Sequence, residues 1–354
     1  RAQTLNQVLF HHALGNLAVK TRRIEKLADK IARAIGAAEA DCFRAASLCK
    51  ADLVSGMVGE FPDLQGIMGR YLAKNDGESA AVAQAIEEHY LPRHAGGELP
   101  KSIPGQVLAL ADRLDSLVGL FIAGEEPTGE KDPYGLRRAA LGVIRILVEK
   151  KLDLDVAILV EDAADSYAAG GLAAGDSAKS RCTTFILERY RALYVTLGFA
   201  QDEISAVLEA GARRPLDFDR RLKAVSRFRH HRDAPSLTAA NKRIRNILRK
   251  SEEDIPAQID AQQLSEPAEI ALSQAILKTA GAIAPAIAKG DYAAALRALA
   301  GLRPVVDGFF DEVMVMAPDS AVRANRLALL GQLNQLFVGI ADISLLQTSE
   351  TGDG

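Results

Sequence analysis

Apolar residues recur every three to four positions along almost the whole chain, a period that leaves little room for anything but helices. Within residues 17–35 they fall at Val19, Ile24, Leu27, Ile31 and Ile35. Within 320–346 a stripe of Val322, Leu329, Leu330, Leu333, Leu336, Phe337 and Ile340 marks one face for burial. Composition agrees: Trp is absent, aromatics are only 5%, and Ala and Leu, which lose little on entering a helix, dominate. No convincing run of alternating β-branched residues occurs; the best strand candidate, 153–160, is short. The expected fold class is all-α or nearly so. With 354 residues the chain exceeds one typical core, which predicts two or three packed units.

Further helices are predicted over 42–57, 65–74, 79–89, 104–122, 134–150, 183–196, 201–210, 217–229 and 238–250, with longer ones inside 266–346. Asp291 and Asp319 stand where N-caps are needed. Gly and Pro interrupt the pattern at 59–62 and 91–104, and residues 168–177 are small and linker-like. The expected organisation is a helical unit over 1–150, a linker with connecting helices over 151–225, and a helical bundle over 226–354. Cys42, Cys49 and Cys182 have no metal-like spacing and read as buried small residues in a reducing compartment. No run approaches about 18 uninterrupted apolar residues, so no membrane span is expected. Arg1 opens the chain with neither initiator Met nor signal pattern, which suggests a fragment of something longer.

Charge is distributed unevenly. Between residues 211 and 250 thirteen basic residues face three acidic ones, a local balance of +10 in a chain of net −3. A concentrated positive face on an acidic body is the footprint expected of a specific nucleic-acid contact. On a helical wheel Lys242, Arg245, Asn246 and Arg249 share one face, while Ala240, Ile244, Ile247 and Leu248 occupy the other. Cations suit phosphates, and Asn can read a base edge in an unstacked loop. A solvated amphipathic helix or a protein-binding face would show the same pattern, and the residues alone leave these alternatives open.

Longer motifs narrow the choice. The run Leu237-Thr238-Ala239-Ala240-Asn241-Lys242-Arg243-Ile244-Arg245-Asn246-Ile247 resembles the signature of the DALR-type anticodon-binding domain, as do Pro304–Met316, Arg323–Leu330 and Ala341–Leu345. Val58–Tyr71, Glu87–Arg93 and Asp132–Gly142 resemble the β subunit of bacterial heterotetrameric glycyl-tRNA synthetase. The resemblance runs from about residue 14 to the end, and the family's β chain is about twice this length, so it implies a C-terminal half. It implies an HD-like helical domain over 1–150 and an anticodon-binding bundle over 226–354. It also implies a non-catalytic role as a subunit of glycine–tRNA ligase: this chain holds glycine tRNA while the α subunit, in an α2β2 assembly, attaches glycine using ATP. The partners implied are that tRNA and that subunit, with neither membrane nor DNA, in the cytoplasm. No cofactor is expected on this fragment.

The residues expected to touch tRNA are Arg220, Arg221, Lys223, Arg227, Asn241, Lys242, Arg245, Asn246 and Arg249. Gln65, Arg70 and Tyr71, where an Arg beside a Tyr ring could stack a base, form a second group. Arg137 and Arg138 flank the turn at Asp132-Pro133-Tyr134 and form a third. For both of these groups, loop-tying salt bridges are the equal alternative. Phe309 and Phe310 read as core.

HD-domain folds hold a metal with a spaced H…HD…D set. The helix bearing the central pair offers Cys49-Lys50 or Ala51-Asp52 instead, no His stands at a matching place in 17–35, and Asp112 survives as the last ligand. A vestigial scaffold is therefore expected, with Asp112 partnering a basic residue or exposed on its helix, and His89 and His94 as polar residues at the surface or facing RNA. An HD-type metal-dependent phosphohydrolase and a helical assembly scaffold are the alternative functions.

Overall fold

The computed structural model describes residues 1–251 and 254–347. It is nearly all helical. Among the described residues the one sheet is a two-stranded antiparallel ladder of β1 (Leu9–His11) and β2 (Gly15–Asn16). Two compact units emerge: Arg1–Leu193 with Arg213–Leu216, and Tyr194–Ala212 with the chain from Asp217 onward.

The first unit contains α1 (Leu17–Ala34), α2 (Glu39–Leu48), α3 (Gly56–Glu60), α4 (Ile67–Asn75), α5 (Ala80–Glu88), α6 (Ile103–Ile122), α7 (Leu136–Glu149), α8 (Val156–Ala168) and α9 (Asp176–Leu187). Its post is α6, apolar nearly all round and buried at Val107, Leu108, Leu110, Leu114 and Leu117. Ser102 starts it by accepting the Gly105 N–H, with Pro104 in the first turn. Helices α1, α2, α5, α7, α8 and α9 pack around it. All three cysteines are buried and free, and burial pushes the Cys49 thiol up to about 12.

Residues 153–160 form no strand. Asp155 caps α8, and Val156, Leu159, Val160, Ala163 and Tyr167 continue at helical spacing onto the core. The short apolar run was the start of a longer 3.6-residue period. The helix expected over 42–57 breaks after Leu48 into a 3-10 turn at Ala51–Val54 and then α3, capped by Ser55.

Helix α10 (Arg189–Thr196) carries the chain into the second unit, which contains α11 (Gln201–Glu209), most of α12 (Pro215–Arg229), α13 (Ala234–Lys250), α14 (Pro267–Ala288), α15 (Tyr292–Ala300), α16 (Arg303–Glu312) and α17 (Ser320–Val338). Asp291 and Asp319 cap α15 and α17 through their carboxylates. Leu272, Ile276, Leu296, Phe309, Leu330, Leu333 and Phe337 fill the core. A buried Glu269–Arg326 ion pair ties α14 to α17. By length and composition alone the 22-residue α14 is apolar enough to cross a membrane; in this bundle it turns Leu272, Ile276 and Ile283 inward. Helix α17 stops at Val338, short of the expected 346, and the chain turns at Gly339 into a 3-10 turn, Ile343–Leu345, capped by Asp342.

The compact units divide elsewhere than at 150/151 and 225/226. Helices α8 and α9 pack on α6, so residues 151–193 belong to the first unit. Residues of α11 belong to the second, where the Asp342 N–H donates to the Ala206 carbonyl at 2.8 Å.

Candidate nucleic-acid interface

Helix α13 begins four residues earlier than the wheel needed and has two unlike faces. Leu237, Thr238, Asn241 and Ile244 are buried, and Lys242, Arg245, Asn246 and Arg249 are exposed. The exposed four line a groove of about 580 Å³ whose far wall is Asn334 of α17 with Ser344 and Leu345. Arg249 donates to the Asn246 Oδ1 at 3.2 Å, which orients that amide beside the cations. Arg245 donates to the Ser344 Oγ at 3.3 Å and forms an ion pair with Asp342, whose side chain is almost wholly buried. Arg245 thus both braces the 3-10 turn and borders the groove. The arrangement offers positive charge on one wall and neutral hydrogen-bonding groups on the other, which suits a phosphate chain with an unstacked base.

Two of the expected contacts lie elsewhere. Asn241 is buried, with neither amide atom hydrogen-bonded, because its position one residue before Lys242 rotates it onto the packed flank. Arg221 faces inward: its Nε donates to Asp217, its Nη1 donates to the carbonyls of Gly339 and Ile340, and the guanidinium lies 4.6 Å from the Tyr292 ring centroid. It fastens α12 to the end of α17. Arg220, Lys223 and Arg227 are exposed on α12, with Lys223 held by Asp219 at 2.7 Å. The excess of charge in 211–250 is therefore partly structural; Arg229 likewise pairs with Asp202 and Glu203. Phe309 is core, whereas Phe310 is half-buried under the Arg243 guanidinium at 4.2 Å. Sequence reasoning missed Asn334 and Ser344, which join the groove only through tertiary packing.

In the first unit an amine stands where the sequence led us to expect the remnant of a metal site. Lys50 Nζ donates to Asp112 Oδ2 at 2.8 Å and to His89 Nε2 at 2.9 Å, and sits 4.4 Å from the Tyr90 ring centroid. Lys20 stands 3.3 Å from the other Asp112 oxygen and also binds Asp115 and Ser116. An ammonium has no acceptor, so His89 must present a lone pair at Nε2 and donate its Nδ1–H to the Ile86 carbonyl, 2.6 Å away. Burial and the Lys50 charge hold His89 well below its ordinary pKa. Burial alone would raise Asp112, but Lys50 and Lys20 hold it far below the usual carboxylate range. Asp52, the other half of the possible central pair, accepts the Gly66 N–H instead. A divalent metal does not fit here, because the Lys50 ammonium occupies the space between Asp112 and His89. His89 is fully buried, contrary to its expected place at the surface, because it serves as the acceptor for this amine; His94 is exposed.

The two remaining groups are rearranged. Arg70 pairs with Glu87 at 2.7 Å and lies 5.1 Å from the ring centroid of exposed Tyr71, so its charge is partly spent. Arg137 donates to the Gly129 carbonyl and its N–H donates to Asp132, which is loop maintenance. Gln65 and Arg138, read as separate groups, line one pocket.

Comparison with known proteins places these features. Residues 1–209 match the model of the glycyl-tRNA synthetase beta subunit, and residues 237–343, which hold most of α13, its four groove residues and Asn334 of the facing wall, match the DALR anticodon binding domain. The chain is 49% identical over 347 residues to a glycine–tRNA ligase beta subunit of Aeromonas hydrophila, 98% of this chain and 50% of that protein. Against those of Ectopseudomonas mendocina and Haemophilus influenzae the identities are 48% and 49%, over 97% and 98% of this chain and 50% of each relative. The chain spans about half the length of the curated relatives it matches. A match across the first unit, a separate match over the groove, and near-half identity along almost every residue agree: the chain belongs to the glycyl-tRNA synthetase beta subunit family.

Proposed function

We propose that this chain is the tRNA-holding part of a glycine–tRNA ligase and that the second unit grips the anticodon region of glycine tRNA. The observation that supports this most is the groove between α13 and the end of α17, with Lys242, Arg245, Asn246 and Arg249 on one wall, inside the stretch matching an anticodon-binding domain. Arg220, Lys223 and Arg227 add an exposed cationic face on α12. On this reading the α subunit activates glycine with ATP in an α2β2 assembly in the cytoplasm, and this chain contributes by fixing the tRNA, which lowers the barrier through positioning. The first unit then acts as an HD-like scaffold whose amine-filled centre has no role in hydrolysis. Binding of glycine tRNA, measured against the same tRNA with a changed anticodon, tests the proposal. Tighter binding of the native anticodon is expected, and equal binding of both would remove the anticodon claim.

A further inference from the structure

A second concentration of unspent positive charge lies in the first unit, in a pocket of about 440 Å³ beside Asp112. The buried cluster under it is balanced. Lys20, Arg23 and Lys50 are matched by Asp52, Asp112 and Asp115, and His89 is neutral. The pocket walls are not. Arg93, Arg113 and Arg138 line it, and the one further carboxylate there, Asp63, is exposed.

Each arginine is placed by the fold, and among the described residues none has a carboxylate within ion-pair distance. Arg113 is locked by donating to the carbonyls of His89, Tyr90, Pro92 and Ala109. Burial, with repulsion from Arg138, lowers it to about 10 against the pull of Asp112. Arg93 donates to the Gln65 carbonyl at 2.7 Å and lies 5.6 Å from the Tyr90 ring centroid. Arg138 folds across Gly135, whose φ of +66° suits glycine and where a Cβ would come within 3.0 Å of the guanidinium. Tyr90, which also lines the pocket, is seated against Gly66, whose φ is +83° and where a Cβ would meet the ring at 2.6 Å. The Tyr90 hydroxyl is buried with no hydrogen-bond partner. Such a group is costly to leave unmade.

We propose that this pocket binds the phosphate ester of a nucleotide, with Arg93 and Arg138 on its oxygens and Tyr134 at the rim against the sugar or base. Guanidinium groups match phosphate oxygens two at a time, and an anion would relieve the repulsion between Arg113 and Arg138. The volume exceeds what a bare phosphate fills and lies in the range of small-ligand sites. The proposal is one of binding alone, with no bond made or broken. The inference is independent of the anticodon reading. The same chemistry is offered by a free nucleotide and by an RNA backbone, and the test separates the two.

The 354-residue chain is titrated with AMP, with adenosine as the uncharged control, and with glycine tRNA. The same titrations are made on Arg138→Gln and Arg93→Gln, and on Lys242→Ala/Arg249→Ala. Arg138 is exposed and among the described residues its side chain donates no hydrogen bond, so its variant should melt like the parent. If the ligand is a free nucleotide, AMP binds, adenosine does not, and Arg138→Gln weakens AMP at least about tenfold. If it is RNA, AMP is ignored, whereas Arg138→Gln and Arg93→Gln weaken tRNA several-fold on top of the loss caused by Lys242→Ala/Arg249→Ala. Unchanged binding of both AMP and tRNA in the two arginine variants would overturn the proposal. AMP binding that ignores those variants, or is matched by adenosine, would do the same.

Discussion

Lys50 shows how much one side chain can decide. Its ammonium joins Asp112 and His89, both held by separate helical segments, so removing it leaves a largely buried carboxylate with reduced compensation. Lys50→Met is expected to destabilise the first unit by about 3 kcal/mol or more, read by denaturant unfolding. The double variant Lys50→Met/Asp112→Asn should recover part of that loss, because the unpaired charge goes with its partner. His89 adds a pH dependence of known sign. Its folded pKa lies below the ordinary 6.5, so the unfolded chain takes up the proton first as pH falls. The stability it contributes is complete above about pH 6.5 and is lost progressively below it. Thermal melts of the parent between pH 7 and pH 5 should show that decline, and His89→Gln should flatten it. The sequence showed Asp112 and the missing metal ligands, but not that a lysine stands in their midst, because convergence of residues 50, 89 and 112 is a product of packing.

Elements were more legible than sites. The two faces of α13 follow from its residue order, and the caps of α15 and α17 from Asp291 and Asp319. Asp319→Ala is expected to cost about 1 kcal/mol in unfolding of the second unit, since two N–H groups at the start of α17 lose their acceptor. Arg245→Ala should cost about 2 kcal/mol, because Asp342 would lose its cation while remaining buried. It is therefore a poor probe of RNA contact by itself. Periodicity failed where tertiary partners overrode it. Asn241 carries a polar side chain into a packed flank, Arg221 spends its charge on carbonyls, and 153–160 is too short a window to separate a strand from the first turns of α8.

At the scale of the whole molecule, the family and the near-absence of strands were readable from separated motifs and a 3.6-residue period. The division into units was not, because the small-residue stretch around 168–177 has a linker's composition while α8 and α9 on either side pack onto α6. The central claim is that the groove beside α13 holds tRNA through its exposed cations. The most direct measurement is the affinity of the 354-residue chain for glycine tRNA across a salt series, parent against Lys242→Ala/Arg249→Ala, two exposed residues with no buried partner to disturb. Loss of two phosphate contacts should weaken binding at least about tenfold near physiological salt and reduce the slope of log K against log salt by about 1.5. An unchanged affinity and slope, with the variant folded, would contradict the account.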